Sequence, residues 1–229
     1  RVRLFETGLR FIPSGTAISD LQQQPVVAGM LYGNRHEESW VSASEKVDFY
    51  DIKGDVESLL ATTGQADAFS FAPATHSALH PGQTASIIYA GEVVGIVGAL
   101  HPQLQQQLDI PHTVYLFEIM QDSVTDVRLP SFNPLSRFPE VRRDLAVIVD
   151  QEISVADIQS QALNVAGEEL IKLKVFDVYI GKGIDSHRKS VALGLTFQHL
   201  SRTLTDNEIN DAIHRVIEAL KENFNAELR

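Results

Sequence analysis

The sequence predicts an α+β protein built from two antiparallel-sheet domains in tandem. Three observations predict it. Residues 137–229 read strand, helix, strand, strand, helix, strand in clean succession. Residues 1–128 hold several alternating or apolar strand segments around one amphipathic helix. Between them, Leu129-Pro130-Ser131-Phe132-Asn133-Pro134 sets two prolines within a few residues, which marks a linker over 129–136.

In the first half, Arg1–Phe11 alternates into a strand, and Pro25–Tyr32 is an apolar strand stopped by Gly33. Residues 48–62 carry Phe49, Ile52, Val56, Leu59 and Leu60 at helical spacing, with Gly54 weakening the pattern. Pro81-Gly82 leads into a strand ending at Tyr89. Ala90-Gly91-Glu92 then turns the chain, and Val93–Leu100 returns as the second arm of a hairpin. Gln103–Leu108 reads as a short helix and Val114–Met120 as one more strand.

In the second half, Leu145–Val149 is a strand. Ser154 is a good N-cap for a helix to Ala166, with Asp157 three residues on. Leu170–Ile180 and Lys189–His199 are strands, the latter alternating Val191, Leu193, Leu195 and Phe197. Thr205 and Glu208 form a capping box ahead of a helix to Asn223, whose stripe is Ile209, Ala212, Ile213, Val216, Ile217 and Leu220. Ala226–Leu228 supplies a last strand. This βαββαβ order is the ferredoxin-like split unit. Its two helices cover one sheet face, and the bare face is a common platform for stacking RNA bases.

Composition bounds the function. With 229 residues, 44% hydrophobic and 21% charged, the chain has material for two ordinary cores. Its zero cysteines exclude disulfides, thiolate metal sites and cysteine nucleophiles, and fit a reducing cytoplasm. No apolar run approaches a membrane span, so no membrane partner is expected. The chain opens on Arg1 inside a strand pattern and is expected to be a fragment of a longer polypeptide. The formal net charge is −11, and most of the excess acid lies before residue 129. Bulk charge therefore does not drive nucleic-acid binding; an RNA contact has to be a local patch.

The best local patch is Arg142-Arg143, which runs into the strand at Leu145. Successive strand residues point to opposite faces, so at most one of the two faces a ligand on the open sheet. The plainer alternative is a surface ion pair with Asp144 or Glu140, worth little energetically. Tyr179, Phe197 and Phe224 are candidate stacking rings, and each is equally a core ring. His76 and His80 stand four apart but are bracketed by Pro73 and Pro81, so turn capping fits them better than zinc. Gly91–Gly98 has strands on both sides, not the strand–loop–helix context of a phosphate loop. Gly95 and Gly98 fit close packing within a sheet. No catalytic or metal-ligating residue is predicted.

Several motifs are familiar. Phe138-Pro139-Glu140-Val141-Arg142-Arg143-Asp144-Leu145-Ala146, then Phe176-Asp177-Val178-Tyr179 with Gly181, then Arg202-Thr203-Leu204-Thr205-Asp206, resemble the ferredoxin-fold anticodon-binding domain. That module closes the β subunit of bacterial phenylalanyl-tRNA synthetases. Leu4-Phe5-Glu6-Thr7-Gly8, residues 47–54, and His80-Pro81-Gly82-Gln83-Thr84-Ala85 with Leu100-His101-Pro102 resemble the catalytic-like domain of the same subunit. The resemblance implies a C-terminal β-subunit fragment of an α2β2 enzyme that joins phenylalanine to tRNA(Phe) with ATP and Mg2+. Residues 1–128 would be a class II synthetase-like core without the catalytic motifs, and 137–229 the anticodon-binding domain. The active site would lie on the α subunit, the fragment alone would be inactive, and no cofactor would bind it. By the same resemblance, Arg143, Ala146, Asp177, Tyr179, Ser190 and Phe224 fall at anticodon-contact positions. Tyr179 and Phe224 would flank a base, Asp177 and Ser190 would bond base edges, Arg143 would approach the RNA backbone, and Ala146 would leave room. Asp177 and Tyr179, two apart on one strand, are expected on one face. The alternatives are a small-molecule (amino-acid) regulatory module or an oligomerisation scaffold, because fold alone does not decide function.

Overall fold

A computed structural model describes residues 1–15, 20–41, 43–132 and 134–229. Asn133, inside the expected linker, lies outside the described residues. The chain divides into two compact units, Arg1–Ser131 and Phe132–Arg229.

In the first unit, strands β1 (Val2–Pro13), β2 (Leu21–Tyr32), β3 (Phe69–Pro73), β4 (Leu79–Tyr89), β5 (Glu92–Leu100) and β6 (Val114–Met120) form one antiparallel sheet. Its order is β1-β2-β6-β5-β4-β3. The tight turn between β4 and β5 works because Ala90 (φ 50°) and Gly91 (φ 86°) both take left-handed conformations, as a two-residue hairpin requires. Helix α1 (Phe49–Ala61) begins at Asp48, whose carboxylate accepts from the backbone of Tyr50 and Asp51. It lays Ile52, Val56 and Leu60 against Val27, Leu31, Ile87, Val97 and Ile119. Short helices α2 (Pro102–Gln107) and α3 (Gln121–Thr125) complete the unit.

Two elements depart from the sequence reading. The β4 strand starts at Leu79, ahead of Pro81-Gly82, and absorbs that dipeptide as a register shift against β5 between Leu79 and Thr84. The β3 strand was not expected: it is short, sits at the sheet edge and ends in Pro73, where a missing N–H costs no ladder bond.

In the second unit, strands β7 (Val141–Asp150), β8 (Leu170–Tyr179), β9 (Arg188–Phe197) and β10 (Glu227–Leu228) make an antiparallel sheet of order β10-β7-β9-β8. Helices α4 (Val155–Ala166) and α5 (Asp206–Phe224) lie on one face. Leu145, Val147 and Val149 of β7 and Val191, Leu193, Leu195 and Phe197 of β9 point into the layer holding Ile158, Ala162, Ile209, Val216 and Leu220. Both caps form as expected: Ser154 Oγ accepts from Asp157 N at 3.0 Å, and Thr205 and Glu208 bond reciprocally. The fold is thus α+β with antiparallel sheets, and the second unit runs βαββαβ.

Candidate functional site

The odd-numbered residues of β7 and β9 are spent on the core, so the even ones line the opposite face. Two cross-strand rows result. Ala146 pairs with Ala192, which pairs with Asp177; Ile148 pairs with Ser190, which pairs with Tyr179. Four of the six sequence-predicted site residues therefore stand together on the face without helices: Ala146, Asp177, Tyr179 and Ser190. Small side chains make its floor, and Asp177 is exposed. Ser190, only 3% exposed, lies in that floor between Ile148 and Tyr179.

Tyr179 is half-buried at the margin. Its hydroxyl donates to the Lys182 carbonyl at 3.2 Å, which ties the ring to the β8–β9 turn. A Cβ on Gly181 would stand 2.8 Å from that hydroxyl, so a side chain there would push the ring from its place. The Arg229 guanidinium lies 5.3 Å over the ring centroid, a cation–π distance. The Arg229 amide donates to the Ala146 carbonyl at 3.1 Å, which extends the last strand along β7. Sequence reasoning missed Arg229: no local pattern links residues fifty positions apart.

Arg143 and Phe224 are not brought to these rows. Arg143 has the parity of Leu145 and Val147, and its guanidinium reaches Asp206 Oδ1 at 3.0 Å in the first turn of α5. Of the arginine pair, Arg142 faces the open sheet, with Nε 2.9 Å from Asp144 Oδ1. Phe224 closes α5 and packs against the core. Phe197, a candidate stacking ring, is fully buried: it ends the same apolar alternation as Val191, Leu193 and Leu195.

Two buried cations, Arg188 and Lys189, fasten the end of the sheet beside these rows. Arg188 donates to the carbonyls of Ile148 (2.9 Å) and Asn225 (2.8 Å) and pairs with Glu227, fastening β10 to β7. Lys189 Nζ donates to the carbonyls of Gln151 and Ile153, and burial lowers its pKa.

In the first unit three of the histidines cap turns or a helix. His76 and His80 accept through Nδ1 from the amides of Ala78 and Gly82, and His101 caps α2 by accepting from Gln103. Gly95 is a close-approach site: a Cβ there would meet the Glu118 carbonyl at 2.5 Å. Among the described residues no group of three His, Asp or Glu side chains is placed to hold a metal ion, and no helix is long and apolar enough to cross a membrane.

Comparison with known proteins bears on both units. Residues 1–120 match the family model of the phenylalanyl tRNA synthetase beta chain CLM domain, and residues 136–229 match that of the ferredoxin-fold anticodon binding domain. The chain is 48% identical over its whole length to the phenylalanine–tRNA ligase beta subunit of Pseudomonas fluorescens (strain Pf-5), covering 28% of that protein. It is 43% identical to the corresponding subunits of Shewanella oneidensis and Vibrio vulnificus, covering 29% of each. The chain thus spans less than a third of the relatives it matches.

Proposed function

Because this chain belongs to the phenylalanyl-tRNA synthetase beta chain family, we propose that the open face of its second unit receives the anticodon of tRNA(Phe). The observation that carries the reading is the pair of rows Ala146–Ala192–Asp177 and Ile148–Ser190–Tyr179 on a helix-free sheet face. A floor of small side chains beside an aromatic ring accepts an unstacked base, and such a base offers its Watson–Crick edge to side chains. Tyr179 supplies the ring. The Asp177 carboxylate accepts from an amino or imino donor, and Ser190, buried in the floor, lies beneath the base rather than at its edge. The Arg229 guanidinium over Tyr179 either sandwiches the incoming base or swings to a phosphate. Arg143 and Phe224 act from the layer beneath, one anchoring the first turn of α5 and the other packing its last.

The first unit is, on this reading, a class II synthetase-like core without catalytic function, contributing an interface with the alpha subunit of an α2β2 enzyme. Its edge strand β1 supports that role. Leu4, Phe5, Leu9 and Phe11 are exposed there, Phe5 at 79%, and the outer edge of the strand pairs with nothing among the described residues. ATP and Mg2+ act at the alpha subunit, so the chain alone is inactive.

The test is Tyr179→Ala in the assembled enzyme. Aminoacylation of tRNA(Phe) should fall roughly tenfold, the scale of one lost base stack, while ATP–pyrophosphate exchange with phenylalanine stays at the wild-type rate. Equal loss in both assays would count against an anticodon role.

A further inference from the structure

A second feature of the same open face lies beyond the two rows. The Arg142 side chain crosses β9 above Gly194 and ends 5.5 Å over the ring of Phe176 on β8. A Cβ on Gly194 would stand 3.0 to 3.3 Å from the guanidinium, so the missing side chain is the seat in which it lies flat. Phe176 reaches this face because the β8–β9 register shifts between Val175 and Asp177, a bulge that lets Phe176 and Asp177 turn the same way. Asp144 holds only Nε of Arg142. The terminal amino groups have no hydrogen-bond partner among the described residues. Lys172 and Lys174, both exposed, stand on the same face opposite Thr196 and Gly194.

We propose that Arg142, seated on Gly194 and Phe176, is a phosphate subsite for the same RNA strand whose base stacks on Tyr179. The occupant follows from charge and geometry. In a chain of net charge −11, this corner sets three cations, Arg142, Lys172 and Lys174, against the carboxylate of Asp144 and, one row on, that of Asp177. A planar guanidinium fixed at Nε presents its free amino groups as a fork, which matches two phosphate oxygens. Gly194 and Ser190 are four residues apart on β9, roughly 13 Å along the strand. A single strand stacked at Tyr179 spans that distance with its next nucleotides. This inference rests on the anticodon reading of the open face and extends it to a backbone contact.

Fluorescence anisotropy of the 229-residue chain with a labelled anticodon stem-loop, titrated at several salt concentrations, tests it. Arg142→Ala should weaken binding about tenfold and reduce the salt slope by about 0.7, the signature of one lost phosphate on a single strand. Arg142→Lys should recover only part of the affinity, because charge without the fork is retained. Gly194→Val leaves the arginine in the sequence but fills its seat, and should weaken binding similarly; it keeps the test valid if Arg142→Ala folds poorly. Tyr179→Ala serves as the reference. If Tyr179→Ala weakens binding while Arg142→Ala and Gly194→Val leave affinity and slope unchanged, the subsite is overturned and the anticodon reading stands. If the stem-loop does not bind the wild-type chain, or Tyr179→Ala has no effect, both are overturned. Displacement of the RNA by an equal concentration of poly-glutamate would also overturn the subsite, in favour of an acidic protein segment.

Discussion

Arg188 shows how single side chains hold the open face in shape. Its side chain is 8% exposed, yet its charge is met on several sides: the carbonyls of Ile148 and Asn225, and the carboxylates of Glu227 and Asp150. The carboxylates are themselves more than half exposed, so their ion pairs contribute little by themselves. The carbonyls matter more, because a bond to a charged donor is stronger than a neutral one and its loss strands a polar group. Arg188→Ala should cost about 2 kcal/mol, read as a lower urea midpoint, and should release β10, read as lost hydrogen-exchange protection at the Arg229 amide. An unchanged midpoint with β10 still protected would show that the strand is held by other contacts. Residue placement was partly legible beforehand. Leu145, Val147 and Val149 fix the parity of β7, so Arg142 on the open face and Arg143 on the helix side could have been read directly. The burial of Phe197 follows from its own alternation in the same way. Arg229 over Tyr179 and the bulge at Phe176 could not, because both depend on strand register rather than on neighbours in the chain.

At the scale of elements, α4 and α5 match the sequence reading to within a residue at each end, because their N-termini carry capping side chains whose geometry is local. The β3 strand and the start of β4 escaped it for the converse reason: each exists by pairing with a neighbour across the sheet. The α5 cap also sets a pH dependence. Glu208 accepts from Arg202 and from the amide and hydroxyl of Thr205, and these bonds, Arg202 first, hold its pKa down to about 2 from 4.5. A depressed carboxylate stabilises the fold fully above its unfolded pKa and loses that contribution as pH falls through the folded one. The capping contribution should therefore be intact above pH 4.5 and fade as pH falls toward about 2. Thermal melting across that window should show a steeper acid decline for the wild type than for Glu208→Gln, with the two curves becoming parallel above it. Identical slopes throughout would mean that the cap carries no titrating stability.

At the scale of the molecule, one chain of net charge −11 carries two antiparallel sheets used differently. The first covers its core with α1 and leaves an apolar edge strand exposed; the second puts both helices on one side and leaves the other bare. Fold class, element order and the shared face of Asp177 and Tyr179 were readable from alternation, capping and motif, because the open face is set by β7 and β9 parity and by the two-residue spacing of those residues. What lay beyond reach was the floor itself, Ala192 and Gly194, whose importance appears only once three strands are laid side by side. The central claim is that this bare face is where the anticodon sits. The most direct measurement is an amide NMR titration of the chain with an anticodon stem-loop, set against free phenylalanine. The account predicts shifts concentrated at Asp177, Tyr179, Ser190 and Ala192 with RNA and none with phenylalanine. Shifts confined to α4 and α5, or the same open-face response to the free amino acid, would contradict it.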